Sequence, residues 1–361
     1  MTKEEILQAC HFSWLEAKGE DTDVVLASRI RLARNLKKLP FPNRADFSQL
    51  LEVRTQIEQA MPRIAEALDQ NFEGIHLEDV SPLERSLLAE KQLVSAALIK
   101  NPQHREAIIS DDTKACLMVN EDDHLRIQCQ APGFDLDTPL EAASRIDDII
   151  ESQLDIAFDE KIGYLTAGPT NLGTGLRATV ILHLPGLVFT RNIASIEGVA
   201  PQLGLAVHSL YGDGKDSSGC LYEIENQLTL GYSEKELIQN LKSAAAEIVA
   251  HERKARKALA LYMKDQLEDK VWRAYGTLRF ARLLNETETL ELLSWVRLGI
   301  DLRLISEVDA DSFGDILIAS RTSYIQTMAE SDNLSKNEID RLRAEQVRKV
   351  LQAHQAVAAE Q

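Results

Sequence analysis

Several arginines recur at a spacing that could set them side by side. Read as a strand, Asp23 to Asn35 puts Ser28, Ile30 and Leu32 on one face and Arg29 and Arg31 on the other. Two arginines on one face repel each other unless an anion lies between them, although a solvated edge strand explains them equally well. The same alternation in His124 to Gln130 sets His124, Arg126 and Gln128 opposite Leu125, Ile127 and Cys129. Just before it, the turn Asn120-Glu121-Asp122-Asp123 carries three carboxylates. It reads either as a polar hairpin turn or as the source of a base or cation ligand. A third stretch, Gly163 to Pro185, joins a glycine loop (Gly168-Pro169-Thr170-Asn171-Leu172-Gly173-Thr174-Gly175) to an alternating strand that presents Arg177, Thr179, Ile181 and His183 on one side. Bare backbone N–H groups beside a strand arginine suit a phosphate. Taken alone, this stretch favours an ordinary hairpin with a solvated arginine.

Composition narrows the partners. The chain has 361 residues, 44% of them hydrophobic and 27% charged, enough for one large domain and a smaller one. A net charge of −17 makes it a poor binder of polyanions, so direct nucleic-acid binding is not expected, and basic partners are favoured. Cys10, Cys116, Cys129 and Cys220 are scattered without a Cys-x-x-Cys pair, so neither a zinc site nor a disulfide framework is indicated, and no resident metal is expected. The polar N-terminus and the lack of a long apolar run point away from a membrane and toward a reducing, cytoplasmic setting.

The elements that must position these residues can be read in order. Helices are expected over residues 3–18, 45–69, 82–98, 137–157 and 187–200. Strands are expected over 106–110, 115–120, 124–130, 203–211 and 220–230. Strands joined by short turns as often as by helices predict an α+β fold, a largely antiparallel sheet flanked by helices. After Ser233 the pattern turns helical: a long charged helix over 234–269, then 286–299, 314–329 and 336–358, the last opened by a Ser335/Glu338 capping box. A boundary near residue 255 divides a catalytic-type domain (1–255) from an all-α C-terminal domain (256–361).

Together, Ser28-Arg29-Ile30-Arg31-Leu32-Ala33-Arg34-Asn35, Asn120-Glu121-Asp122-Asp123-His124-Leu125-Arg126 and Pro169-Thr170-Asn171-Leu172-Gly173-Thr174-Gly175-Leu176-Arg177-Ala178 resemble the ATP:guanido phosphotransferases, or phosphagen kinases. The likeness spans nearly the whole chain. It is closest to the bacterial protein-arginine kinase branch, which has a helical C-terminal part; here that part carries Tyr275-Gly276, Val296-Arg297-Leu298-Gly299-Ile300 and Ile339-Asp340-Arg341-Leu342-Arg343-Ala344. The resemblance implies transfer of the γ-phosphoryl group of ATP, with Mg²⁺, to arginine side chains of proteins. It implies an ATP site of Ser28, Arg29, Ile30, Arg31, Gln92, Arg126, Arg177, Ala178, Thr179, Val180, Ile181, His208, Ser209, Leu210, Tyr211 and Gly212. Glu121 and Asp213 would grip the acceptor guanidinium, and Asp340 and Arg343 would bind phosphoarginine. Implied partners are arginine-rich protein substrates, a zinc-binding activator (McsA-like), a stress-gene repressor and a Clp protease; a homo-oligomer is compatible with all of these.

The chain departs from the family pattern at five positions: Gly168 for cysteine, His208 for arginine, Asp213 for glutamate, Gln92 for histidine and Ile339 for arginine. These motivate an alternative, a kinase-like adaptor or nucleotide-binding regulator with weakened catalysis. A third reading, a kinase for free arginine or another small guanidine, is opposed by the C-terminal helical part.

Overall fold

The structure is a computed structural model that describes residues 1–211 and 218–358. Its centre is an eight-stranded sheet. The chain runs α1 (Lys3–Gln8), β1 (Val25–Arg34), α2 (Phe47–Leu68), β2 (Phe72–His76), α3 (Pro82–Glu90), β3 (Glu106–Ser110), β4 (Ala115–Val119) and β5 (Leu125–Pro132). It continues through α4 (Asp137–Gln153), a small pair β6 (Phe158–Asp159) and β7 (Gly163–Tyr164), β8 (Leu176–His183), α5 (Pro185–Phe189), α6 (Ile193–Val199), β9 (Leu205–Ser209) and β10 (Leu221–Asn226). The sheet order is β2-β3-β4-β5-β1-β8-β10-β9, and every neighbouring pair is antiparallel. Six helices complete the chain: α7 (Glu234–Tyr262), α8 (Lys264–Phe280), α9 (Glu286–Asp301), α10 (Asp311–Ala319), α11 (Thr322–Met328) and α12 (Lys336–Ala358). The α+β architecture read from the sequence is the one observed.

Strand alternation gives the sheet two faces with separate cores. On one, Ile30, Leu32, Ile127, Ala178 and Val180 pack with Val53 and Ile57 of α2, Ile146 of α4 and Leu241 of α7. On the other, Ile75, Ile109, Met118 and Ile181 join Leu87 of α3, Val271 of α8 and Phe313 of α10 in one cluster. The C-terminal helices therefore share a core with the sheet. Polar ties reinforce that junction: Arg256 reaches Asp301 Oδ2 at 3.0 Å and donates to the carbonyls of Asp23 and His183.

Several expected elements are shorter or split. Residues 3–18 form only α1 and a turn of 3₁₀ helix at Ser13–Leu15, because Phe12 and Trp14 both enter the core, which residues two apart on an α-helix cannot do. The helix expected over 82–98 ends at Glu90, where Lys91 turns inward to the carbonyls of Ile6 and Leu7 and Gln92 adopts φ 57°. The 187–200 helix breaks at Arg191, with φ 60°, into α5 and α6. The long helix over 234–269 is two helices that meet at Met263, so residue 255 lies inside α7. The 314–329 helix is likewise α10 and α11, separated by Ser320 and an extended Arg321.

Candidate active site

The face of the sheet opposite α2 and α4 carries a row of arginines. Register aligns them: Arg29 lies opposite Gln130 on β5 and Thr179 on β8, and Arg31 lies opposite Gln128 and Arg177. Arg126, one step along β5, pairs with Ala33 and Met118. Neutral and acidic side chains aim each guanidinium. Arg29 Nε donates to Gln130 Oε1 at 2.9 Å, and its two Nη atoms reach Glu223 and Gln92, both at 3.2 Å. Arg31 Nε donates to Gln128 Oε1 at 2.8 Å, and Gln128 is itself held by the carbonyls of Gln92 and Leu93. Arg177 donates to Glu225 at 2.9 Å and to Asn171 Oδ1 at 3.1 Å. Burial first, then the neighbouring Arg29 and Arg126, push Arg31 down to about 9. A cluster of this kind stores repulsion that a polyanion relieves.

Glu121 sits against this row with 2% of its surface exposed. Both its oxygens accept from Arg126 Nη1, at 2.7 and 2.8 Å, and Oε1 also accepts from the Ser95 hydroxyl. Burial acts to raise its carboxyl, but Arg126, the Ser95 bond and Arg31 outweigh it and hold the group below the ordinary carboxylate range. A deeply buried carboxylate kept ionised among guanidiniums is equipped to hold another guanidinium and to take its proton.

The tertiary structure separates residues that share a motif. Of the three turn carboxylates, only Glu121 enters the site. Asp123 is tied to Asn35 Nδ2 and to the Ala167 N–H, both at 2.6 Å, and Asp122 is exposed. His124 does not join Arg126; it is fully buried, with Nδ1 accepting from the Leu36 N–H at 3.0 Å and Nε2 facing Pro40 O at 2.8 Å. The glycine loop acts through a side chain rather than through bare backbone. The N–H groups of Asn171, Leu172, Gly173 and Thr174 are bonded to backbone carbonyls, and the loop's link to the arginine row is Asn171 on Arg177. Gly175, at φ 66°, lets the loop pass over β1, where a Cβ would meet Ala33 O at 2.7 Å.

The expected ATP-site residues divide in the same way. Arg29, Arg31, Gln92, Arg126, Arg177 and Thr179 come together, with the exposed His208 at the rim, 4.0 Å from Glu225. Ile181 shares the face but packs into the core with the C-terminal helices. Ser28, Ile30, Ala178 and Val180, also expected at the ATP site, turn their side chains to the other face of the sheet, as the two-residue period of a strand requires. Ser28 caps the Gly133–Asp135 loop there, and the other three are core. Ser209 bonds the Tyr211 carbonyl, Leu210 packs against the core, and Tyr211 lies under Arg321 with the guanidinium 4.3 Å from the ring centre. Gly212 and Asp213 lie outside the described residues. Arg343, expected to bind phosphoarginine, is 2% exposed and makes four hydrogen bonds: it donates to the carbonyls of Ser320 and Leu284, to Asp340 Oδ1 at 2.6 Å and to Thr322 Oγ1. Asp340 and Arg343 thus engage each other, an arrangement that staples α12 to α11.

Sequence reasoning missed Ser95, Gln130, Glu223 and Glu225. The signal for the last two was present in β10, where Glu223 and Glu225 alternate with the buried Tyr222 and Ile224. Ser95 had none, because it reaches Glu121 only through the irregular segment after α3.

Residues 52–255 match the family description "ATP:guanido phosphotransferase, C-terminal catalytic domain", and residues 264–361 match "Protein-arginine kinase McsB C-terminal domain". A protein-arginine kinase of Desulforamulus reducens is 41% identical over 353 residues, covering 97% of this chain and 98% of its own. One of Bacillus subtilis is 40% identical over 356 residues, covering 97% and 96%. Among solved structures, a lombricine kinase aligns at a TM-score of 0.56 and 23% identity over 66% of this chain and 68% of its own. The duplicated taurocyamine kinase of Schistosoma mansoni aligns at 0.57 and 21%, over 69% and 36%. The two solved structures share the fold. The family match and the near-full-length relatives show that this chain belongs to the ATP:guanido phosphotransferase family.

Proposed function

We propose that the protein transfers the γ-phosphoryl group of ATP to arginine side chains of other proteins. The observation that carries this reading is the buried, ionised Glu121 set against the arginine row. Arg29, Arg31, Arg126 and Arg177 supply the fixed positive charge that a transferring phosphoryl group demands, in fork geometry suited to its oxygens. Mg²⁺ would arrive with the nucleotide and neutralise part of its phosphate charge. In the transfer, an acceptor guanidinium nitrogen forms a bond to the γ-phosphorus, the bond from that phosphorus to the β–γ bridging oxygen breaks, ADP departs, and Glu121 takes the proton the nitrogen gives up. Arg126, already gripped by Glu121, sets the carboxylate's orientation before the acceptor arrives.

Support for a protein acceptor comes from the C-terminal helical region and from relatives of nearly the same length that are named protein-arginine kinase. The family resemblance further suggests a zinc-binding activator, a stress-gene repressor as substrate and a Clp-type protease downstream. ATP as substrate and four free cysteines suit the cytoplasm. The exposed His208, standing where the family carries an arginine, favours the second reading, a nucleotide-binding regulator with little turnover. The deciding experiment incubates the protein with ATP, Mg²⁺ and an arginine-rich protein and follows intact mass. An acid-labile mass gain is expected, as for a phosphorus–nitrogen bond. ATP binding without any such gain, with an activator also supplied, establishes the regulator instead.

A further inference from the structure

On the far face of the sheet from the arginine row, three elements bring together side chains that no transfer chemistry uses. Glu58 comes from α2, His76 from the end of β2 and Glu106 from the start of β3. One ligand-type atom from each lies within 4.8 Å of the others. His76 Nε2 is 3.2 Å from Glu58 Oε1 and 3.6 Å from Glu106 Oε1. A tetrahedral zinc ion with bonds of about 2.0–2.1 Å separates its donors by about 3.4 Å. The histidine and its two carboxylates are therefore already near the spacing of three tetrahedral ligands, with a fourth position left over.

A second observation is independent of that spacing. Glu106 is 3% exposed, and its Oε2 is buried without a hydrogen-bond partner. A buried carboxylate oxygen left unsatisfied is costly and calls for an explanation. The backbone makes room for it: a Cβ at Gly74, on the neighbouring strand, would stand 2.6 Å from Glu106 Oε1. The surrounding groups are mostly acidic. Asp79 Oδ2 is 3.6 Å from His76 Nδ1, on the side of the ring away from the cluster, where a carboxylate favours the tautomer that frees Nε2 as a ligand. Among the described residues, Arg54 is the one Lys or Arg in contact, 3.5 Å from Glu58 and bound to Glu78 at 2.8 Å.

The geometry points to a binding site for a divalent transition-metal ion of the zinc type, liganded by Glu58, His76 and Glu106. Mixed imidazole and carboxylate donors select such ions over magnesium. The site ties α2 to the sheet edge directly behind the catalytic turn, since Glu106 pairs in register with Val119, two residues before Glu121. The competing account of the cluster is a Glu58–Glu106 pair that shares a proton.

The test uses the full-length protein, stripped with a chelator and titrated with zinc by calorimetry, with melting followed in parallel. One equivalent should bind, and the melting temperature should rise by several degrees. His76→Ala and Glu106→Gln should each weaken binding at least tenfold and abolish the rise. His76 is part-exposed, so its replacement leaves the core intact, and circular dichroism verifies folding of both variants. Absence of one-to-one binding overturns the proposal. So does wild-type zinc affinity in both variants, which would place the zinc elsewhere, or a Glu106→Gln protein that is more stable than wild type and keeps its zinc affinity, which would establish the shared proton.

Discussion

Replacement of Glu121 by alanine isolates the proposed chemistry. The side chain is 2% exposed and accepts two bonds from Arg126 at 2.7 and 2.8 Å, plus one from Ser95. Loss of a positioned base costs about 10²–10⁴ in rate, and loss of alignment on the order of 10² more, though the two overlap because one group supplies both. The expected fall in kcat is therefore about 10³-fold or greater. Nucleotide affinity should move the other way or not at all, because Arg126 loses its carboxylate partner and becomes freer for phosphate. Breaking a buried ion pair costs about 3–5 kcal/mol, and residual exposure of Arg126 reduces this to about 2 kcal/mol. Glu121→Gln, which keeps shape and removes charge, separates folding from chemistry and should be nearly as slow. The assay pairs acid-labile phosphorylation of an arginine-rich protein with ATP binding by calorimetry. Turnover within tenfold of wild type, in either variant, refutes the role of Glu121. Because its folded pKa is depressed, Glu121 is ionised at neutral pH. Its stabilising pairing holds above the ordinary carboxyl value of about 4.3 and is lost as pH falls through the folded one. An acid limb in kcat near pH 6 must then belong to another group.

Three further outcomes are expected. Ser95→Ala removes the hydroxyl that fixes one Glu121 oxygen, so kcat should fall about 10-fold or more while ATP affinity is unchanged; parallel loss of both would show a folding defect instead. Arg343→Ala deletes four bonds made by a buried guanidinium and should cost about 3 kcal/mol in chemical denaturation; a loss under about 0.5 kcal/mol would show that the staple between α11 and α12 is unimportant. His354 lies 3.0 Å from Asp315 and 2.8 Å from Asp309, and the Asp315 bond, opposed by burial and aided by Asp309, raises it to about 9. Its contribution, on the order of 1–2 kcal/mol after solvent screening, should be fully present below pH ~6.5 and lost as pH rises through about 9. Melting of wild type and His354→Asn should converge above that pH, and a constant gap would refute the assignment.

Much of this protein follows from local pattern. A period of two places Arg29, Arg31, Arg126 and Arg177 on strand faces, because side-chain direction in a strand is fixed by the backbone alone. The capping box at Ser335 sets the start of α12 for the same local reason. The same alternation turns the side chains of Ser28, Ile30, Ala178 and Val180 to the face opposite those arginines. Other features depend on contacts far apart in sequence. Which of three adjacent turn carboxylates enters the arginine row was decided by Asn35 and Ala167, which draw Asp123 away, and by Arg126 and Ser95, which hold Glu121. Helices ended early where distant partners pulled on them, as Lys91 is pulled toward Ile6 and Leu7. The Glu58–His76–Glu106 cluster has no motif, since its members lie on three elements and meet only when α2 packs across the β2–β3 edge. Sequence thus determined which residue types each element presents, through backbone periodicity. Tertiary structure decided which of them meet, because burial and competing hydrogen bonds act between segments that sequence spacing does not connect.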